Sequence, residues 1–257
     1  MRSLFVYILL AILILSTTTA SAQKQITGSK TYITKDVSVG SFNHISVLGS
    51  PDLIYTQMNG GSPKIEIYGS DNLVPLIEVD VENNTLVVKY KKNTSFRNGK
   101  IEVRVSAPAV ESMKIQGSGD INIPNGFSAQ SLRLSVSGSG DIDGKNIACD
   151  NLVLSVSGSG DIDLKNVKAT NIEATVSGSG DIDLSGTSVN AKYKVAGSGD
   201  VSAVNLKTEN VEANVSGSGD ITCYAEKILK GKVSGSGDVG YKGNPEISFS
   251  KKGLKKL

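Results

Sequence analysis

The chain has 257 residues, of which 39% are apolar and 20% charged, and its 27 Lys and Arg against 25 Asp and Glu leave a formal charge of +2. That length suits one or two globular domains. The even charge balance excludes the strongly basic face of a nucleic-acid binder, and ordinary apolar content with low net charge excludes a disordered chain. A single His excludes a multi-histidine metal centre or a pair of catalytic imidazoles.

Residues 1–22 read as a secretory signal: Arg2 supplies the positive start, Leu4 to Leu15 is an unbroken apolar run, and Ala20-Ser21-Ala22 supplies the small residues for cleavage. The run is shorter than the roughly 20 apolar residues of a membrane span. The mature chain is therefore expected outside the cytoplasm, in the periplasm, on the cell surface or secreted, with no transmembrane segment.

Residues 23–110 are β-rich without exact internal copies. Phe42–Val47, Leu53–Gln57, Lys64–Tyr68, Thr85–Tyr90 and Ile101–Val105 alternate or concentrate apolar residues as strands do. Asn83-Asn84 forms the turn between two of them. Gly49-Ser50-Pro51-Asp52 reads as a degenerate copy of the motif that dominates the rest of the chain, and Gly69-Ser70-Asp71-Asn72 as another, with Asp71 alternatively capping a short helical turn near Pro75-Leu76. This portion is expected to start the repeat architecture and to cap its end.

From residue 111 onward a repeat takes over. Gly-Ser-Gly-Asp occurs seven times, running from Gly117 to Asp120, Gly138 to Asp141, Gly158 to Asp161, Gly178 to Asp181, Gly197 to Asp200, Gly217 to Asp220 and Gly235 to Asp238. Successive copies are 21, 20, 20, 19, 20 and 18 residues apart, a solenoid period. Before each copy apolar residues alternate, as in Leu152, Leu154 and Val156 or Ile172, Ala174 and Val176; after each comes a β-branched Ile or Val. Ile147, Val167 and Leu206 mark a third apolar position. Three short strands and their turns fit about 20 residues, so each unit is one coil of a parallel β-helix whose equivalent residues stack in columns.

In the motif, glycine permits positive φ at a sharp corner, and Ser and Asp can bond turn amides. Stacking the Asp residues at about 5 Å costs roughly 3 kcal/mol per adjacent pair at an effective dielectric of 20, and under about 1 in water. The column must be solvated, bonded to backbone donors, or neutralised by cations. A structural turn motif is the preferred reading, and bound calcium the alternative. Cys149 and Cys223 fall four coils apart, about 19 Å, too far for a disulfide, so both are expected as free buried thiols. The closing segment carries Lys251, Lys252, Lys255 and Lys256, read as a solvated edge that blocks strand addition, with anionic glycan or lipid contact as the sharper alternative. His44 reads as a boundary residue.

The motif series from Gly117 to Asp238, with Phe42-Asn43-His44-Ile45-Ser46-Val47, Ile65-Glu66-Ile67-Tyr68-Gly69, Asn84-Thr85-Leu86-Val87-Val88 and Gly240-Tyr241-Lys242-Gly243-Asn244-Pro245, resembles the Bacteroidetes-type auto-transporter adhesin family with the head GIN domain. The resemblance covers about residues 40–250. It implies an all-β, right-handed parallel β-helix with an irregular N-terminal cap, exported and with an adhesin role. It brings no catalytic residues and no cofactor. After residue 110 the short Gly-punctuated coils contain no auto-transporter barrel.

Three functions are consistent with this sequence. The first is a non-catalytic binding protein for glycan, extracellular matrix or an envelope component. The second is a polysaccharide-cleaving enzyme, for which Asp143, Asp163 and Asp183 beside Asp141, Asp161 and Asp181 form a double carboxylate column; the sameness of these sites argues against one distinctive catalytic pocket. The third is a purely structural envelope protein. No catalytic, cofactor-binding or metal-binding residue is assigned.

Overall fold

The computed structural model describes residues 24–92, 94–250 and 252–257. The signal predicted for residues 1–22 lies outside the described residues. Among those described, no helix is long and apolar enough to cross a membrane.

The repeat builds a parallel β-solenoid. The strand Phe127–Val136 pairs in parallel with Ile147–Val156, which pairs with Ile162–Val176, then Ile182–Val195, Val201–Val215 and Ile221–Val233. Each step advances one coil and keeps equivalent residues side by side, so Val136, Val156, Val176, Val195, Val215 and Val233 form one column. These valines, the residues Ile142, Ile162, Ile182, Val201, Ile221 and Val239 after each Asp, and the third positions Ile147, Val167 and Leu206 are all buried. The period-two alternation in sequence is thus the alternation between the filled interior and the surface. Small register shifts, as between Leu164 and Val167, absorb coils of 18 to 21 residues.

The stack begins earlier in sequence than the exact repeats. His44–Gly49 pairs in parallel with Ser112–Gly117, and Asp52–Gln57 with Ile121–Ile123, so residues 44–57 are the first coil. The chain then leaves to build the cap and returns at residue 112. On the far side of that first coil, Thr85–Tyr90 and Ile101–Ala107 add in parallel to His44–Gly49 and Asp52–Gln57. They are joined by antiparallel strands, Ile77–Glu82 on one side and Lys64–Ser70 followed by Tyr32–Val37 on the other. Asn83 and Asn84, both with positive φ, make the two-residue hairpin turn. Lys24–Thr27 pairs with Thr94–Arg97 as a separate ribbon. Leu73, Val74, Ile77 and Val79 are buried in the same continuous core as the coils, which is how a cap removes an open apolar end.

Two expectations are corrected here. Gly69-Ser70-Asp71-Asn72 is not a rung of the column: Lys64–Ser70 runs antiparallel to its neighbours. The short 3-10 helix Val74–Leu76 does form, but its N-cap is Leu73 and no side chain caps it; Asp71 instead accepts from Ser29 Oγ. At the other end, Glu246–Phe249 and Leu254–Lys256 lay a last partial coil against Ile221–Val233 and Val239–Lys242.

Candidate binding surface

At one corner of each coil from Gly117 to Asp238 sits the Gly-Ser-Gly-Asp motif. The carbonyl of its first Gly accepts the Ser N–H of the next coil at 2.8–3.0 Å and the second Gly N–H at 3.1–3.4 Å. The Asp carboxylate accepts through Oδ1 the backbone N–H of the next Asp, at 2.7–3.1 Å, in an unbroken ladder from Asp52 through Asp120, Asp141, Asp161, Asp181, Asp200 and Asp220 to the amide of Asp238. Gly49 and Asp52 occupy the first rung, as the degenerate copy predicted. The last carboxylate, Asp238, has no following rung and pairs with Lys255. Of the three ways to hold a column of like charges, backbone donation is the one this geometry displays.

The reason for glycine differs from the expected one. The motif glycines from Gly138 onward do not have positive φ. A Cβ on the first Gly of each motif would instead lie 1.8–2.0 Å from the carbonyl oxygen of the preceding coil, and on the second 2.0–2.1 Å. Close approach of stacked backbones, with no room for a methyl group, imposes glycine at both positions.

The double carboxylate column is real in register: Asp143, Asp163 and Asp183 are paired neighbours. Partial burial pushes the Asp143 carboxyl above the usual range, with Asp163 and Asp141 adding repulsion and Lys165 opposing it. Lys165 Nζ lies 2.8 Å from Asp163. Among the described residues no group of three or more His, Cys, Asp or Glu has a metal-binding arrangement. Cys149 and Cys223 are free and buried, and burial raises their thiols to about 11 and about 12, with Asp150 adding to the effect at Cys149. His44 is half-buried with Nδ1 2.9 Å from Ser112 Oγ.

A second corner carries features the sequence reading missed. Asn151, Asn171, Asn190 and Asn210 stack, each Nδ2 donating to the Oδ1 of the preceding Asn at 3.1, 3.0 and 3.1 Å. The signal was present as an Asn recurring five residues before Val156, Val176, Val195 and Val215. Two residues beyond each Asn runs an outward column of Val153, Glu173, Lys192, Glu212 and Lys230. Here charge alternates between neighbours, and Glu212 lies 3.2 Å from Lys230. Inside the solenoid, Ser188 and Thr208 bond each other at 2.8 Å. The fully buried Tyr193 hydroxyl lies beside Thr208 but makes no well-formed hydrogen bond among the described residues.

These features define an all-β solenoid with a capped N-terminal end and a repetitive surface. Residues 41–245 match the family described as "Putative auto-transporter adhesin, head GIN domain", and the chain belongs to it. Three of the solved structures to which it is similar show the range. A putative adhesin from Bacteroides fragilis is 34% identical with a TM-score of 0.69, covering 90% of this chain and 100% of that one. A putative lipid binding protein from Parabacteroides distasonis is 27% identical with a TM-score of 0.84, covering 91% and 100%. A putative adhesin from Parabacteroides merdae, at 23% identity and a TM-score of 0.82, covering 91% and 99%, shares the fold. No protein of curated function matches the chain.

Proposed function

We propose that this is an exported, non-catalytic binding protein that presents its coils to a glycan, matrix or envelope partner. The reading is carried by the repetition of the surface. Equivalent outward positions recur once per coil, about 4.8 Å apart, and such an array suits a ligand that is itself repetitive. The Gly and Asp residues of the motif, from Gly117 to Asp238, are assigned a structural role because their amides, carbonyls and carboxylates bond one coil to the next. Residues 23–110 and 111–257 then act as the cap and the array of one domain. The family and the apolar leader Leu4 to Leu15 support a location outside the cytoplasm.

The test is binding of the mature chain to glycan and matrix arrays, with protease accessibility on intact and permeabilised cells. Saturable binding that weakens as whole coils are deleted supports the reading. Release of reducing ends or unsaturated sugars from a bound polysaccharide would replace it with the enzyme reading. Absence of binding to every glycan and matrix component, with binding only to lipid vesicles, would transfer to this chain the property named for the Parabacteroides distasonis relative.

A further inference from the structure

The Asn corner is flanked by two hollows. One, of about 700 Å³, reaches from His44 and Ser112 through Ser131 and Arg133 to Asn151 and Val153. The other, of about 420 Å³, runs from Asn171 through Asn190 and Asn210 to Ile228 and Lys230. They meet end to end where Asn171 Nδ2 bonds Asn151 Oδ1, and both follow the same columns of the stack. They lie in line along the solenoid axis, with Glu173 between Val153 and Lys192 at the join, and are taken together as one furrow. From the coil of His44 to that of Lys230 it spans seven coil steps, about 34 Å.

We infer that this furrow is the binding site and that its ligand is an extended, neutral polysaccharide lying along the axis, one sugar unit per coil or nearly so. The inference rests on the glycan branch of the proposed function and names its site. Three observations select the ligand. The furrow is long, narrow and open, which fits a chain. One wall is an amide ladder: Asn171 and Asn190 each spend one N–H and one lone pair on their neighbours, Asn151 only a lone pair and Asn210 only an N–H, and every one keeps a donor and an acceptor for hydroxyl groups. The charges that line it nearly cancel, Arg133, Lys192 and Lys230 against Glu111 and Glu212. A polyanion is held by a stripe of one sign. Alternating cations and carboxylates instead offer donors and acceptors to hydroxyls without a net field. Exposed Ile228 ends the Asn column and gives the furrow an apolar foot against which a sugar ring face can rest.

The probe is a length series of neutral β-1,4-linked gluco- and manno-oligosaccharides, two to ten units long, titrated by calorimetry. Affinity is expected to rise with length by at least ten-fold from two to about eight units and then level off, since the furrow spans about eight coils. Val153→Arg places a bulky side chain at a half-exposed position in the furrow without touching the ladder, and is expected to lower affinity at least ten-fold with an unchanged melting temperature. Asn190→Ala should do the same; because it also cuts the ladder, Val153→Arg carries the decision if Asn190→Ala fails to fold. Wild-type affinity in Val153→Arg, or affinity independent of length, would overturn the furrow while leaving glycan binding in place. Tighter binding of heparin than of any neutral chain would overturn the ligand class. If no oligosaccharide of the series binds, the furrow proposal falls, and the glycan branch falls with it only if the glycan and matrix arrays are also blank.

Discussion

Gly158→Ala tests the packing argument most directly. The new Cβ would lie 1.9 Å from Gly138 O, where real Cβ contacts do not fall under 3.0 Å. The coils must therefore part locally by at least 1.1 Å. The crowded carbonyl is the acceptor for Ser159 N–H at 2.9 Å and Gly160 N–H at 3.2 Å, so the same displacement stretches both bonds out of range. Each is worth about 1 kcal/mol net, and leaving the groups unpaired adds to the loss. A destabilisation of about 3 kcal/mol follows, a large share of the roughly 5–15 kcal/mol that holds an ordinary domain together. Gly40→Ala is the control: nothing lies within 4 Å of its Cβ, so the change should be within about 0.5 kcal/mol of neutral. Urea unfolding followed by far-ultraviolet circular dichroism measures both. If Gly158→Ala costs less than about 1 kcal/mol, close approach is not why glycine recurs at the corner.

Three further outcomes are expected. Asp161→Ala removes the acceptor of Asp181 N–H, 2.7 Å away, and should cost about 1–3 kcal/mol, whereas Asp161→Asn keeps an oxygen there and should stay within about 1 kcal/mol of wild type; equal losses in urea unfolding would contradict the ladder. Tyr193→Phe removes a buried hydroxyl whose contact with Thr208 falls short of a well-formed hydrogen bond, and should leave stability unchanged or raise it by up to about 1 kcal/mol; a clear loss would show that the Thr208 contact holds the core. Asp143 has a folded-state pKa above its ordinary value, so its ionised form opposes folding at neutral pH and that opposition fades as pH falls through the raised pKa. Asp143→Asn should therefore melt higher than wild type at pH 7 and match it at about pH 3, where both forms are neutral; a lower melting temperature at pH 7 would refute the sign.

Much of the fold was legible because the repeat supplies its own alignment. Seven copies at near-constant spacing fix the coil, and the alternation through Leu152, Leu154 and Val156 fixes which side faces inward. Even the degenerate rung at Gly49 and Asp52 could be found, since Asp52 accepts the Asp120 N–H as the other carboxylates accept theirs and Gly49, at a φ of 87°, makes the corner that glycine allows. Gly69-Ser70-Asp71-Asn72 misled because composition alone does not say which way a strand runs. The strand Tyr32–Val37 left almost no trace, being exposed along most of its length and therefore free of an apolar pattern. The Asn corner was overlooked for a different reason: one polar residue per coil is an ordinary surface until the register stacks it on its equivalents.

The columns also separate architecture from recognition within this one chain. Where stacking imposes a steric or hydrogen-bond demand, the coils repeat the same residue, as at the paired glycines, the Asp ladder and the interior valines. The Asp column can repeat a negative charge because a backbone N–H meets each carboxylate up to Asp220 and Lys255 meets the last. The outward column from Arg133 to Lys230 has no such donor, so repetition would leave like charges opposed. It varies instead, through Val153, Glu173, Lys192 and Glu212. A ligand that distinguishes this protein from another solenoid has to read positions that differ between coils, because the invariant ones are occupied with holding the coils together. The furrow lies between a constant column of amides and a varied column of charges. Substitutions along the varied column, Lys192→Ala among them, should therefore alter which oligosaccharides bind while leaving the melting temperature nearly unchanged. Loss of folding in Lys192→Ala would show that this column, too, belongs to the scaffold.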